Sequence, residues 1–165
     1  MTLEAFYQKL LNPPKPWNVS KVEISEDGSR VDVWLTHEQY TFLCSECHCP
    51  APTYDHMPER VFQHLDTCES KTFLHVRLPR VNCSKHGVKQ GVFPLAGQYQ
   101  DVTYKLEAKC IAVMEACDRT AASDIVRENA DVILTHIVAN DEFDPGTVSC
   151  NRYSDRREEI TLIVV

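Results

Sequence analysis

Two pairs of metal-binding residues most constrain how this chain can fold. Cys44 and Cys47 enclose two residues, and Cys83 and His86 do the same after an interval of 35 residues. Two such pairs, each on a tight turn, supply the four ligands of a tetrahedral zinc site once folding brings the turns together. Four strong ligands leave no open position for water, so the predicted zinc is structural rather than catalytic.

Other thiols and imidazoles compete for a place in this ligand set. His48 and Cys49 directly follow Cys47, and Cys68 lies between the two pairs. Each offers the same ligand chemistry as the four predicted residues. The spacing alone therefore leaves open whether one of them replaces a predicted ligand. The sequence indicates no role for Cys150.

Histidines are also frequent between the two ligand pairs, at His56, His64 and His75. Grouped histidines can bind a second metal ion. Strands with alternating side chains also carry histidine on a solvent-facing side without any ligand role. We favour this second interpretation for all three residues.

Length and composition narrow the class of protein. A chain of 165 residues with 43% hydrophobic residues suits one domain or two small ones with a packed core. The first residues include Glu4 and form no long apolar run, so we predict no secretory leader. No segment approaches the ~18 apolar residues of a membrane span. We therefore expect a cytoplasmic protein whose 8 cysteines are reduced or bound to metal.

Charge is distributed unevenly along the chain, whose net charge is -7. Residues 1–59 carry -5 and residues 110–165 carry -6, whereas residues 60–109 carry +4. Only this middle third suits an electrostatic contact with nucleic acid. We predict that its basic cluster contacts DNA phosphates, which gives salt-dependent affinity without sequence specificity. The cluster comprises Arg60, Arg77, Arg80, Lys85 and Lys89.

The first 97 residues predict a helix, a hairpin and a zinc-ribbon-like β module. Apolar residues recur at helical spacing over 2–11, and alternation on both sides of the turn at 26–29 predicts a hairpin. Further alternation predicts strands over 60–66 and 71–81, with Pro79 at a strand end or edge. We predict loops over 48–52 and 86–97 because proline or glycine interrupts both segments.

Residues 98–140 predict a helical module. Apolar positions over 101–117, including Cys110 and Cys117, define one face of a helix, and shorter helices are predicted over 121–128 and 131–139. This order outlines a helix-turn-helix. The third helix contains no lysine or arginine, and Thr135 and His136 are among the few side chains that reach base edges. Residues 141–165 form a tail. The predicted fold class is therefore α+β.

Several short motifs, in this order, resemble the N-terminal part of the ISL-three family of bacterial insertion-sequence transposases. The likeness covers roughly residues 1–140 and is densest around the cysteines. Leu95 stands where the family pattern has tryptophan. The resembling segments are Cys44-x-x-Cys47, Tyr54-Asp55-His56, Arg60-Val61-Phe62-Gln63-His64-Leu65-Asp66, Leu78-Pro79-Arg80-Val81-Asn82-Cys83-x-x-His86-Gly87-Val88 and Val92-Phe93-Pro94-Leu95-Ala96.

The resemblance implies a zinc-ribbon-like domain and a helix-turn-helix that recognise the terminal repeats of a transposon. It also implies a following RNase H-like catalytic domain with three acidic metal ligands, of which residues 141–165 are at most the start. Asp141 and Glu142 resemble the first acidic pair of that domain, but the residues after them fit poorly. We therefore assign no catalytic residue and expect no enzymatic activity.

We interpret the chain as a transposase-like DNA-binding protein or fragment stabilised by zinc. Its expected partner is double-stranded DNA at transposon ends, with neither a membrane nor a small-molecule substrate. The sequence leaves open whether two chains form a homodimer. The alternative is a zinc-stabilised protein-interaction or regulatory module without DNA binding, which the acidic ends and the uncharged third helix favour.

Overall fold

The computed structural model describes residues 2–116 and 119–126. The chain divides into two compact units, Met1–Leu106 and Glu107–Val165. The predicted helix over 131–139 and the tail over 141–165 lie outside the described residues. The described helices are α1 (Leu3–Leu11), α2 (Tyr104–Ala116) and α3 (Arg119–Val126). The strands are β1 (Trp17–Ile24), β2 (Arg30–His37), β3 (Thr41–Leu43), β4 (Pro50–His56), β5 (Arg60–Thr67), β6 (Ser70–Val76), β7 (Pro79–Cys83) and β8 (Gly87–Gln90).

Helix α1 forms where the sequence predicts it. The hydroxyl of Thr2 accepts a hydrogen bond of 3.3 Å from the backbone N–H of Ala5, which caps the first turn. Asn12 ends the helix in the left-handed region, at φ 43°, and its N–H donates to the carbonyl of Gln8. Leu11 is buried and secures the end of the helix in the core of the first unit.

The first sheet has the strand order β1-β2-β6-β5. Strands β1 and β2 form the predicted antiparallel hairpin, with Gly28 in its turn at φ 70°. Strand β2 pairs in parallel with β6, whereas β6 and β5 are antiparallel. Val31, Val33 and Leu35 alternate along β2 and are all buried, so one side of the sheet faces the core.

The second sheet has the order β3-β4-β7-β8, and its two outer strands also meet. Cys44 forms an antiparallel bridge with Gly91. The N–H of Val92 donates to the carbonyl of Leu43 at 2.9 Å, and that of Ser45 donates to the carbonyl of Gln90 at 3.2 Å. The small sheet is thus closed at the side where both ligand-bearing turns emerge.

The structure corrects three predicted segments, each of which contributes a strand to this second sheet. The loop predicted over 48–52 is wrong from Pro50 onward, because β4 begins there and its prolines lie in a paired strand. The irregular segment predicted over 86–97 is wrong in its first part, because Gly87–Gln90 is strand β8. The single strand over 71–81 is two strands: β6 belongs to the first sheet, and β7 begins at Pro79 in the second.

Aromatic side chains from both sheets meet in one core. The ring of Phe93, which follows β8, lies 5.1 Å from the ring of Trp17 in β1 and 5.3 Å from that of Phe62 in β5. Phe42 from β3 lies 6.0 Å from Trp17. All four side chains are buried. Phe93 follows the last strand of the second sheet, and its ring packs in the core of the first sheet. It therefore connects the two sheets.

Arg60 fixes the segment that follows this core. Its guanidinium donates hydrogen bonds of 2.7 Å to the backbone carbonyls of Gln98 and Gln100. It also lies 3.3 Å from the carboxylate of Asp101. The side chain of Arg60 is 22% exposed, so its guanidinium interacts mainly with these groups of the protein rather than with solvent. Residues 98–101 are thereby held on β5.

His64 secures the same segment at a second point. Its Nδ1 lies 2.8 Å from the hydroxyl oxygen of Thr103, and both residues are buried. Burial, followed by the positive charge of Lys105, lowers the pKa of His64 to about 4. The imidazole is therefore neutral at pH 7 and acts as a buried hydrogen-bonding group.

The second unit is described through parts of α2 and α3. Cys110 of α2 is buried, as its position in the helical pattern predicts, and Val126 at the end of α3 is also buried. Among the described helices, none has the length and apolar character needed to cross a membrane. The helix-turn-helix predicted over 98–140 requires a third helix outside the described residues, so it stays a prediction.

Replacing Phe93 with alanine tests the proposed role of this ring. Phe93→Ala removes one of the aromatic contacts that join the two sheets and leaves a cavity, so we expect the free energy of unfolding to fall by about 3 to 5 kcal/mol in urea titrations. Tyr99→Ala is the matched control, because Tyr99 is 80% exposed and should change stability little. Equal effects of the two substitutions would contradict this packing.

Candidate metal centre

The first ligand-bearing turn lies between β3 and β4. The backbone N–H of His48 donates to the carbonyl of Cys44 at 2.9 Å, and the N–H of Cys44 donates to the carbonyl of Cys49 at 3.0 Å. His48 has φ 55°, in the left-handed region that reverses the chain. This tight turn carries Cys44 and Cys47 on the same side.

The second turn joins β7 to β8. Cys83 is the last residue of β7 and pairs with Gly87, the first residue of β8. Gly87 has φ 68°, which glycine adopts at no steric cost. The two strands therefore leave only Ser84, Lys85 and His86 for the connection, which directs the His86 side chain towards Cys83.

The two turns bring all four predicted ligands together. The sulfur and nitrogen atoms of Cys44, Cys47, Cys83 and His86 all lie within 4.8 Å of one another, the one such metal-binding group among the described residues. The sulfurs of Cys47 and Cys83 are 3.6 Å apart. His86 Nδ1 lies 3.7 Å from the sulfur of Cys83 and 3.9 Å from that of Cys44.

These separations fit a zinc tetrahedron. Bond lengths of about 2.3 Å to sulfur and about 2.0 to 2.1 Å to nitrogen place ligand atoms about 3.6 to 3.8 Å apart. The three pairwise distances lie close to this range. Three cysteines and one histidine are also a common ligand set of structural zinc sites. The group is therefore a Cys3His cluster consistent with zinc binding.

Electrostatics prepare Cys83 for a metal cation. The backbone N–H groups of Lys85 and then His86 point at its sulfur and lower the pKa of the thiol to about 6. Cys83 is therefore largely thiolate at pH 7. For Cys47, the largest single effect is the backbone N–H of Cys49, which lowers the pKa of the thiol. Burial and the neighbouring thiols of Cys83 and Cys49 together outweigh it, so the pKa of Cys47 is raised. A bound cation would favour both thiolates.

Burial separates the ligands into an inner and an outer set. Cys44 and Cys83 are buried, Cys47 is half-buried, and His86 is exposed. A metal held by these residues would close the outer end of the small sheet, with His86 on the solvent side.

The rival ligands lie outside this group. His48, Cys49 and Cys68 are all exposed. Cys68 lies in the turn between β5 and β6, in the first sheet. Among these three rival ligands, Cys49 is the one whose side chain contacts a member of the Cys3His group, namely Cys47.

Three of the predicted DNA-contacting residues have acidic or carbonyl partners within the protein. Arg60 is held by backbone carbonyls and Asp101, as described above. The guanidinium of Arg80 forms a two-point contact with the carboxylate of Asp55. Lys89 lies 3.3 Å from the carboxylate of Glu46. These contacts reduce the positive charge that each side chain presents to a DNA phosphate.

Of the four other residues predicted to contact DNA, the structure describes Arg77 and Lys85. Arg77 and Lys85 are exposed, and neither forms an ion pair with a described residue. Lys85 lies on the second ligand-bearing turn, and Arg77 lies between β6 and β7. Thr135 and His136 lie outside the described residues. DNA contact by all seven residues stays a prediction.

The structure corrects the interpretation of the three central histidines. His64 and His75 are buried, so placing them on a solvent-facing side is wrong, whereas His56 is exposed. His64 follows Phe62 by two residues and thus shares its core-facing side, a signal that the strand pattern already contained. His75 lies in β6, an inner strand of the first sheet.

His37, which the sequence did not single out, belongs with this group. It lies at the end of β2, and its Nε2 is 3.2 Å from Nε2 of His56 at the end of β4. The two residues are 19 positions apart and in different sheets. No local sequence signal predicts this contact.

Comparison with known proteins relates the segment that carries the four ligands to a zinc-finger family. The family described as zinc-finger of transposase IS204/IS1001/IS1096/IS1165 matches residues 41–86. This span contains all four ligands and ends at His86. Searches of curated proteins and of solved structures gave no match. Residues 41–86 are thus similar to a transposase zinc finger, in agreement with the resemblance found in the sequence.

Removing one inner ligand tests the centre. Protein purified without chelator should carry about one zinc per chain by elemental analysis, and Cys83→Ser should lose it because a ligand thiolate is gone. Its thermal unfolding temperature should fall as well. Cys49→Ser is the matched control and should keep both the zinc and the stability. Zinc loss in Cys49→Ser but not in Cys83→Ser would contradict the ligand set.

Proposed function

We propose that the chain is a zinc-stabilised, transposase-related DNA-binding fragment that recognises transposon ends without catalysing transposition. The match of residues 41–86 to a transposase zinc finger is the observation that carries this proposal. The Cys3His geometry supports it, because the matched segment has the ligands that a structural zinc needs.

The proposed mechanism is binding through a surface that the zinc holds in place. Zinc would fix the two turns, and Lys85 on the second turn would then meet the DNA backbone. Arg77 supplies a second exposed cation in the net-basic part of the chain. Contacts of this kind position a protein on duplex DNA but do not read its sequence.

In this proposal, the helical module predicted over 98–140 recognises the DNA base sequence. Thr135 and His136 would face base edges from the third predicted helix, with other helices packing behind it. Strand transfer requires a full set of carboxylates that hold metal ions. We assign no such set, so the proposed fragment occupies DNA ends and leaves their cleavage to another protein.

Salt dependence of binding tests the electrostatic step. The zinc-loaded chain should bind a short fluorescent duplex at low salt, and the affinity should fall steeply with added salt as counterions are released. Arg77→Gln and Lys85→Gln should each weaken binding and reduce the slope of log affinity against log salt by about 1. Fluorescence anisotropy titrations at several salt concentrations give both quantities.

Lys9→Gln is the matched control, because Lys9 is an exposed lysine of α1 outside the net-basic third of the chain. Its affinity and slope should equal those of the unsubstituted protein. Absence of duplex binding at low salt, with zinc confirmed in the sample, would contradict the proposal and favour a protein-interaction module. Cleavage of the duplex after addition of Mg²⁺ would instead indicate a transposase or nuclease activity.

A further inference from the structure

We propose that His37 and His56 form a second metal site. With two protein ligands it binds more weakly than the four-ligand Cys3His centre, so it takes a divalent transition-metal cation such as Ni²⁺, Cu²⁺ or Zn²⁺ when that cation is added to the purified one-zinc protein. The site lies at a cavity of about 500 Å³ in the first unit, whose lining includes both imidazoles together with Trp34, Glu59, His75 and Arg77. It shares no ligand with the Cys3His centre and does not depend on DNA binding.

The separation of the two imidazoles fits ligands of one cation. Their Nε2 atoms lie 3.2 Å apart, and their rings are 5.2 Å apart and inclined by 25°. Two nitrogens at about 2.0 to 2.1 Å from a tetrahedral zinc are about 3.3 Å apart. The cation would therefore bind both nitrogens with little movement of either strand.

The backbone selects the tautomer of His37 that a metal needs. Its Nδ1 lies 3.1 Å from the carbonyl oxygen of Gln39, to which it can donate a proton. That tautomer leaves the lone pair of Nε2 directed at His56. Hydrogen bonding of the second nitrogen to a carbonyl is the usual way in which proteins orient metal-binding histidines.

His56 completes the pair without any net release of protons. In the hydrogen-bonded pair, Nε2 of His56 donates its proton to Nε2 of His37. On metal binding, that proton moves to Nδ1 of His56, and its Nε2 lone pair becomes a second ligand. Burial and then the proximity of His56 lower the pKa of His37, which keeps its imidazole neutral near pH 7.

The surroundings leave room for additional ligands. Glu59 and His75 also line the cavity, but they are engaged with each other at 3.0 Å, and His75 is further held by Asp32 at 2.7 Å. The cavity is far larger than one ion, so water or an external anion would complete the coordination. Arg77 at the cavity wall suits such an anion. The site is thus open, unlike the closed Cys3His centre.

Nitrogen ligands decide the class of cation. Imidazole favours zinc, copper and nickel, whereas magnesium and calcium favour oxygen ligands. A cation at this position would also connect the first sheet, through β2, to the second sheet, through β4. Binding should therefore raise the unfolding temperature of the zinc-loaded chain.

Ni²⁺ is a suitable probe because the chain's 2 tryptophans both lie near the site. The ring of Trp17 is 4.9 Å from that of His37, and Trp34 lines the cavity. Titration of the zinc-loaded full chain with Ni²⁺ should quench tryptophan fluorescence at about one equivalent, whereas Mg²⁺ should not. His56→Gln should weaken Ni²⁺ binding at least about tenfold.

Two further variants complete the experiment. His37→Gln should lose binding as well, although this side chain also packs against Trp17 and Phe42. His56 is exposed, so His56→Gln keeps the test valid if His37→Gln fails to fold. His48→Asn, which removes an exposed histidine outside the cavity, should bind Ni²⁺ like the unsubstituted chain. Equal quenching in His56→Gln and the unsubstituted chain, or no quenching in either, would overturn the proposal.

Discussion

The pairing of Leu43–Ser45 with Gln90–Val92 is the constraint on which the rest of the structure depends. It closes the small sheet and holds the two ligand-bearing turns side by side. The chain then leaves this junction at Phe93, whose ring enters the aromatic core shared with the first sheet. One junction thus determines the geometry of the metal centre and connects it to the core.

Residues that carry the transposase resemblance have structural partners here. Arg60 binds the carbonyls of Gln98 and Gln100, His64 meets Thr103, and Arg80 is paired with Asp55. A motif can thus reflect the needs of the fold as much as contact with a nucleic acid. In the proposed function, the electrostatic contact with DNA therefore rests on few exposed charges, chiefly Arg77 and Lys85.

The sequence predicts features that depend on local chemistry. The hairpin around Gly28 and the two ligand pairs follow from turn residues and spacing, and the structure confirms that hairpin and brings the ligands together. Features that depend on distant partners escape prediction. Pro50 favours a loop in sequence, but it lies in a strand that pairs with β3. The parallel pairing of β2 with β6 has no local sequence signal. The His37–His56 contact joins residues of separate sheets.

The metal centre described above requires three cysteines and one histidine around a single structural zinc. X-ray absorption at the zinc edge, on the 165-residue chain purified without added metal, tests this ligand set because it counts the sulfur and nitrogen neighbours of the zinc. We expect three sulfur atoms at about 2.3 Å and one nitrogen at about 2.0 to 2.1 Å. Four sulfur atoms would indicate that Cys49 replaces His86, and a shell without sulfur would contradict the centre altogether.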